Sequence, residues 1–331
     1  MFALKLSVLG ERKIIEMLVN YMPIEWDAAL PFWDDAAAID LGNENVLVLK
    51  TDMFVRKTDA PKKMRFFDMG WKAVTMNVSD LAAKGAKPIG FLFSLGAPKN
   101  YDASSLAKLA KGIGDAARFY GFKVLGGDTG EACDLIVAGM AIGLAKRDLL
   151  VKRSGAKPGD YLAVTGEFGL TGAGLKMLLE DLKPHSEKAK KLFLKAVFRP
   201  IAKLKEGLSL AMSKSVSASI DSSDGLAYSL YELSRLSNVG FKLSKIPVHR
   251  EVEAFARFHN ISSEDLALYS GEEYELVVTI KRGMWDIAKS AVKKAGGRLI
   301  KIGVVTRDKK VVYERDGELV EIPCRGWEHF K

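Results

Sequence analysis

The chain of 331 residues has no glutamine, four histidines and only two cysteines. Cys133 and Cys324 lie far apart and match no zinc-ligand or redox spacing, which excludes a cysteine-built metal centre and a disulfide framework. We therefore expect a cytoplasmic protein, because that compartment keeps cysteines reduced. The start of the chain lacks the apolar run and small-residue cleavage site of a secretory signal, which agrees with that expectation.

Long apolar runs are also missing. The longest, Leu135–Ala145, is too short to cross a bilayer as a helix and is rich in glycine and strand-forming residues. It predicts a buried strand, and we expect no association with a membrane. With 48% hydrophobic and 27% charged residues, the composition fits a globular protein with enough core for two domains.

The charge balance is basic, since 50 Lys and Arg face 41 Asp and Glu and give a formal charge of +9. A basic nucleic-acid-binding protein is therefore one alternative. The lysines are scattered, however, with the densest groups at 62–65 and 188–191, so we expect no nucleic acid as a partner. The lack of glutamine beside abundant Lys and Glu resembles thermophilic proteins and accounts for much of the charge.

The stretch Val74–Pro88 predicts a helix, because its apolar positions recur at helical spacing and Gly85 lies where a helix usually ends. Asn77, Ser79 and Asp80 interrupt this apolar pattern. One interpretation is a polar stripe that faces solvent. The other is a functional site, because an Asp buried without compensation costs free energy.

The remaining patterns alternate between strands and helices, which is typical of an α/β protein. We predict strands or extended segments at 46–49, 89–95, 122–125, 135–144, 161–164, 215–220, 276–280, 299–305 and 310–314. We predict helices at 14–22, 104–120, 175–182, 186–198, 201–212, 226–236 and 284–295. A turn-rich segment at 153–160 predicts a joint between two domains, 1–148 and 149–331. The glycine-rich bend at 166–174 lacks the Lys-Ser/Thr ending of a P-loop.

Aspartates recur where an apolar segment gives way to a turn or to a helix start. They are Asp34, Asp35, Asp52 after Thr51, Asp80, Asp128, Asp221 and Asp224. Each alone also fits a turn residue or a helix N-cap. No basic residue adjoins these carboxylates in our interpretation, so together they would raise one another's pKa unless bound cations neutralised them. Oxygen ligands without His or Cys suit Mg²⁺, which indicates phosphoryl transfer without a P-loop.

The motifs resemble those of the thiamine-monophosphate kinase family, in the superfamily that also contains aminoimidazole ribonucleotide synthetase. The resemblance runs in order from residue 34 to the end of the chain. It rests on Asp34-Asp35-Ala36-Ala37, Thr51-Asp52-Met53, Gly70-Trp71-Lys72-Ala73, residues 77–85, Gly126-Gly127-Asp128-Thr129, Arg153-Ser154-Gly155-Ala156, residues 222–226, residues 271–276 and residues 326–330.

This resemblance implies an N-terminal α/β domain whose sheet pairs across a homodimer into a barrel, and a C-terminal mixed-sheet domain covered by helices. The implied reaction is ATP-dependent phosphorylation of thiamine monophosphate to thiamine diphosphate by direct, magnesium-assisted in-line transfer. A related ligase for a formylglycinamidine-type substrate is the alternative, and it would lack the segments 271–276 and 326–330. A selenophosphate synthetase is excluded, because no cysteine stands in the N-terminal loop.

The resemblance also implies roles for individual residues. Several magnesium ions would be held by Asp34, Asp35, Thr51, Asp52, Asp80, Asp128, Asp221 and Asp224, of which Asp80, Asp128 and Asp224 would be catalytic. ATP would contact Gly127, Asp128, Arg153 and Ser223. The acceptor would contact Asp59, Glu272 and Trp327. Two positions depart from the bacterial pattern, since Trp33 replaces a glycine and Asp59 replaces a histidine.

Overall fold

The computed structural model describes residues 5–25, 28–42 and 44–330, so the outer ends of the two predicted domains, 1 and 331, lie outside it. Two separate mixed sheets, each covered by helices, form the α/β fold that the sequence predicts. None of the described helices has the length and apolar character needed to cross a membrane.

The strands are β1 (Ala37–Asp40), β2 (Asn45–Val55), β3 (Lys87–Ala97), β4 (Lys123–Glu131), β5 (Ile136–Lys146), β6 (Tyr161–Val164), β7 (Val216–Asp221), β8 (Gly240–Leu243), β9 (Leu276–Ile280), β10 (Ile300–Thr306), β11 (Val311–Arg315) and β12 (Glu318–Glu321). The helices are α1 (Leu6–Leu9), α2 (Glu11–Val19), α3 (Arg56–Asp59), α4 (Phe66–Lys84), α5 (Ala103–Tyr120), α6 (Leu170–Leu179), α7 (Glu187–Phe198), α8 (Leu204–Met212), α9 (Leu226–Ser237), α10 (Arg250–His259), α11 (Ser263–Tyr269) and α12 (Trp285–Lys294).

The first sheet has the strand order β1-β2-β5-β3-β4. Its strands pair antiparallel except for β3 and β4, which run parallel. Strand β4 forms one edge and is exposed along its whole length. Since β2 pairs with β5 from Asn45 opposite Lys146 to Val55 opposite Ile136, the centre of this sheet has a continuous register.

The second sheet has the order β12-β11-β8-β10-β6-β9-β7. Only β11 and β8 pair in parallel among these strands. Strand β9 is buried throughout, and helix α9 covers the apolar side chains of its neighbours. The carboxyl end of the edge strand β7 is Asp221, so the topology brings one predicted site residue to the border of the sheet.

Helix α4 lies between the two sheets. It ends as predicted at Gly85, whose φ of 68° is the left-handed conformation that suits glycine. Gly70 and Gly112 let α4 and α5 pack closely, since a Cβ at Gly70 would collide with the Leu109 carbonyl. Asn77, Ser79 and Asp80 are buried, so the interpretation as a solvent-facing polar stripe is wrong. The reason is that α4 packs against other elements on nearly every side.

Local patterns identified most elements, and β6 and β9 have the predicted bounds. The structure adds α1, α10, α11, β1, β8 and β12, for which we made no prediction. The segment 56–65 shows neither helical nor strand periodicity in the sequence, yet it begins with the short helix α3. Strand β4 continues through Gly126 to Glu131 because its parallel neighbour β3 provides hydrogen-bond partners, so Asp128 lies within a strand and not in a turn.

Candidate active site

Helix α4 carries Asp80 to the junction of the two sheets, where the residue is 4% exposed. Asp35 approaches from the segment before β1, and Asp221 from the end of β7. One oxygen from each of Asp35, Asp80 and Asp221 lies within 4.8 Å of the others. Carboxylates that are distant in sequence, one from the segment before β1, one from helix α4 and one from the end of β7, therefore meet at one buried place, which we call the acid cluster.

Two cations neutralise one side of the acid cluster. The Lys84 Nζ lies 2.5 Å from Asp34 Oδ1 and 2.7 Å from Asp35 Oδ2, and it donates to the Ser219 carbonyl at 3.0 Å. The Arg153 Nε donates to Asp35 Oδ1 at 2.5 Å, and its backbone N–H donates to Asp34 Oδ2 at 2.9 Å. These contacts join α4, the Asp34–Asp35 segment and the second domain.

A third cation lies on the other side. The Lys50 Nζ is 3.1 Å from Asp52 Oδ1 and 3.2 Å from Asp80 Oδ1. No basic residue adjoins these carboxylates in the sequence, but three lie beside them in space, so the expectation that only bound cations would neutralise them is wrong. Lys84 follows Asp80 by about one helical turn, and Lys50 shares a strand face with Asp52, so the partners are neighbours in space rather than in sequence. A lysine between Ala83 and Gly85 in an apolar helix was the signal available for Lys84.

The protonation of the acid cluster follows from burial and charge. Burial raises the pKa of Asp80 well above its usual value despite Lys50, and Asp221 and Asp52 raise it further. Burial, with Asp35 nearby, raises the pKa of Asp221 to about 7. Burial alone would raise the pKa of Asp35, but Arg153 and Lys84 outweigh it and hold that pKa below its usual value. The cluster thus has more carboxylates than its cations satisfy.

The remaining acids are distributed around this centre. Burial and the charge of Glu11 raise the pKa of Asp224 to about 6. Thr51 and Asp52 point to opposite faces of β2, because side chains alternate along a strand. The Thr51 hydroxyl donates to the Gly139 carbonyl at 2.8 Å, on the strand β5. Asp128 lies opposite Ser94 on the exposed edge strand, and none of the ion pairs within the described ranges includes it.

The segment 271–275 is tied to the loop that carries Asp224. The Glu272 N–H donates to the Ser223 carbonyl at 2.6 Å, and the Tyr274 N–H donates to the Ser222 carbonyl at 2.9 Å. Glu272 and Tyr274 have φ values of 64° and 51°, which are strained for side chains with a Cβ. Such strain persists only where surrounding contacts enforce it, and it is concentrated at functional sites.

The other predicted acceptor residues flank this segment. Asp59 Oδ2 accepts from the Val55 N–H at 2.6 Å, which stabilises the start of α3. The Asp59 carbonyl accepts from the Lys72 Nζ at 2.8 Å, and Lys72 also pairs with the Glu272 carboxylate. The Trp327 ring is 54% exposed, and its backbone N–H donates to the Asp224 carbonyl at 3.0 Å. Lys72 therefore connects Asp59 with Glu272. The backbone of Trp327 binds that of Asp224, the residue that follows Ser223.

Comparisons with known proteins agree with this geometry. Residues 33–145 match the AIR synthase related protein N-terminal domain, and residues 157–315 match the corresponding C-terminal domain. A thiamine-monophosphate kinase of Pyrococcus horikoshii is 41% identical over 332 residues, with 98% of each chain covered. One from Bacillus subtilis is 32% identical, with 80% of this chain and 82% of that protein covered.

Solved structures give the same result. A structure described as AaThiL complexed with AMPPCP and TMP matches with a TM-score of 0.86 and 27% identity, over 99% of this chain and 100% of that one. Thiamine monophosphate kinase from Aquifex aeolicus matches with a TM-score of 0.80 and 26% identity, over 96% and 100%. From the paired domains and the extent of these matches, the chain belongs to the thiamine-monophosphate kinase family of AIR synthase related proteins.

Proposed function

We propose that this enzyme transfers the γ-phosphoryl group of ATP to thiamine monophosphate, giving thiamine diphosphate and ADP. The observation that carries the proposal is the acid cluster, in which the buried carboxylates of Asp35, Asp80 and Asp221 converge from a loop, a helix and a strand. Relatives named for this reaction, and a similar structure described with AMPPCP and TMP, support the choice of substrates.

The residues present fit magnesium. Their donors are oxygens, and the raised pKa values of Asp80 and Asp221 indicate that the cluster lacks positive charge, which a divalent cation would supply. We propose that the ions are held by Asp34, Asp35, Thr51, Asp52, Asp80, Asp128, Asp221 and Asp224. When bound, magnesium supplies charge neutralisation and alignment of the phosphates for in-line transfer. The Thr51 hydroxyl donates to the Gly139 carbonyl and Asp128 lies on the exposed edge strand, so we propose that phosphates or a second subunit complete the site at these two residues.

Cationic and small side chains suit the nucleotide. We propose that ATP contacts Gly127, Asp128, Arg153 and Ser223. A planar guanidinium such as that of Arg153 can bind a phosphate through two hydrogen bonds. The guanidinium of Arg153 contacts Asp35 and its backbone N–H contacts Asp34, which holds the residue beside the acid cluster. Gly127 has no side chain because a Cβ there would collide with the Phe93 carbonyl of the neighbouring strand. The lack of a side chain at Gly127 is thus needed for the close pairing of β4 with β3, next to the exposed Asp128.

The acceptor needs positioning more than activation. Its phosphate is already ionised at neutral pH, so no general base has to remove a proton. We propose that Asp59, Glu272 and Trp327 contact the thiamine part, with Trp327 stacking on the cationic thiazolium. Asp80, Asp128 and Asp224 are proposed as catalytic, in that they fix the arrangement of the reacting phosphates. The strained backbone at Glu272 supports a role for this segment in the site.

The edge strand β4 supports a homodimer. It is exposed along its length, and Val124 and Leu125 are 39% and 58% exposed on it. An unpaired edge with apolar side chains favours pairing with another strand. We propose that two copies join these sheets into a closed barrel. Light scattering at low micromolar concentration should give twice the 36.3 kDa mass of one chain, and a monomer mass would contradict the proposal.

The division of the chain and its compartment are further proposals. We place the domain boundary between 148 and 149, supported by sheet membership, since the first sheet ends at Lys146 and the second begins at Tyr161. We propose a cytoplasmic enzyme, which the exposed thiols of Cys133 and Cys324 support.

Product analysis tests the proposed reaction. Purified enzyme with ATP, Mg²⁺ and thiamine monophosphate should form thiamine diphosphate and ADP, separated by chromatography. Free thiamine should be a poor acceptor, because its hydroxyl would need a general base and it lacks the phosphate that the site aligns. If no thiamine diphosphate forms while a formylglycinamidine ribonucleotide drives ATP consumption, the enzyme is a ligase of the same superfamily.

A further inference from the structure

Lys72 is a buried cation that joins three segments. It lies on α4 and is 1% exposed. Its Nζ donates to the Asp59 carbonyl at 2.8 Å, pairs with Glu272 Oε1, and lies 5.9 Å from the centre of the Phe54 ring. A buried ammonium group is costly unless hydrogen bonds and an opposite charge compensate it. An apolar residue would fill this space without that cost, so the presence of a lysine indicates a specific role.

The contact with Lys72 involves only one of the two carboxylate oxygens of Glu272. Its side chain is 27% exposed, and its backbone is fixed in the left-handed conformation by the hydrogen bond to Ser223. Lys72 binds Oε1, and Oε2 has no hydrogen bond to the rest of the described chain. A carboxylate held at one oxygen presents the other in a fixed direction, which suits recognition of a cation or an N–H donor.

We propose that Lys72 is a positioning residue that orients Glu272 toward the thiamine part of the acceptor. This inference rests on the proposed function, in which Glu272 contacts the acceptor. The side chain reaches from the first domain to the second, so the direction of Oε2 depends on how α4 is placed against the segment 271–275. Through the hydrogen bond from Glu272 to Ser223, the same contact links acceptor recognition to the loop that carries Asp224.

If Lys72 only anchored the segment 271–275, removing another ion pair of that segment should have the same effect, and Lys203 provides this control. Lys203 Nζ pairs with Glu275 Oε1 at 3.0 Å, three residues farther along the same segment. Removing Lys203 also breaks a Lys–Glu pair on that segment but leaves the contacts of Glu272 unchanged. An effect that depends only on anchoring the segment should appear in both variants.

The experiment compares Lys72→Met, Lys72→Arg, Glu272→Gln, the double variant Lys72→Met/Glu272→Gln and Lys203→Met by steady-state kinetics. Lys72→Met should raise the KM for thiamine monophosphate about tenfold, since a charged hydrogen bond is worth roughly 1.4 kcal/mol or more. The KM for ATP should change less than about twofold. Lys72→Arg should recover part of the loss. The double variant should be no worse than Glu272→Gln, because the two residues act as one unit.

Other outcomes would overturn the inference. They are equal changes in both KM values for Lys72→Met, the same acceptor-specific loss in Lys203→Met, or additive losses in the double variant. If Lys72→Met does not fold, the test rests on Lys72→Arg. The N–H donors of arginine lie at positions different from that of the lysine Nζ, so this variant should still raise the KM for thiamine monophosphate without raising the KM for ATP. Thiamine diphosphate formation by the unmodified enzyme tests the proposed function separately, because it does not depend on any variant.

Discussion

Glu273 offers a quantitative test of how burial acts on one carboxyl group. Its Oε1 accepts from the Gly169 N–H at 2.7 Å and from the Thr171 N–H at 3.1 Å, at the start of α6. Burial raises its pKa to about 8, although the two backbone N–H groups oppose the shift. The perturbation is Glu273→Gln, which keeps an acceptor oxygen for both hydrogen bonds and removes the titration.

The sign follows from proton binding. Below pH 4.5, the ordinary pKa of this group, folded and unfolded chains both keep the proton and the titration has no effect. As the pH rises toward 8 the unfolded chain loses its proton first, so the stability of the native protein falls. The full gap between the two pKa values corresponds to about 5 kcal/mol. Because the side chain is only half-buried, we expect about half of that, roughly 2 kcal/mol at pH 8.

The assay is urea unfolding of the two proteins across this pH range. Glu273→Gln should be more stable than the unmodified protein by about 2 kcal/mol at pH 8, and the difference should be below about 0.5 kcal/mol at pH 4.5. Glu253→Gln, at an exposed position of α10, is the control and should leave the profile unchanged. A constant difference at all pH values, or a less stable variant at pH 8, would refute the reasoning.

Three further substitutions test the site. Asp80→Asn should abolish turnover. It should not lower the melting temperature in EDTA, because it removes one negative charge from a cluster of carboxylates that repel one another. A large drop in melting temperature would indicate that Asp80 has a structural role. Trp327→Ala should weaken thiamine monophosphate binding in calorimetry by about 1 kcal/mol, the value for an exposed cation–π contact, and equal weakening of ATP binding would mean that the tail is only an anchor. Asp59→Ala should raise the acceptor KM more than the ATP KM in steady-state assays, and the opposite order would remove Asp59 from the acceptor site.

Local chemistry explains why much of the fold could be predicted. The helical spacing of apolar residues in the sequence predicts helix α4, and the helix ends at Gly85, where the left-handed conformation is needed. Strands β6 and β9 are short runs of apolar residues between turn signals. Strands β8 and β12 are as short as β6, but each includes a charged residue or more, so no continuous apolar run distinguishes them from a loop.

The site was less predictable because its contacts are not local. The aspartates of the acid cluster and Arg153 were identified from the sequence, yet Lys50 and Lys84 were not, since Lys84 reaches Asp34 across 50 positions of the sequence. Thr51 and Asp52 were grouped as neighbours, but strand geometry turns them to opposite faces. Two glycines before Asp128 favoured a turn, and pairing with β3 overrode that local preference.

The position of helix α4 has a consequence for biosynthesis. Its apolar side chains share one core with Leu276 and Val278 of β9, and with Leu299 farther along. A ribosome delivers these partners only after most of the chain has emerged, so the first half cannot complete its core while it is being made. The nascent chain would therefore stay partly open until β9 arrives, and the acid cluster, which also needs Asp221, would assemble late in synthesis.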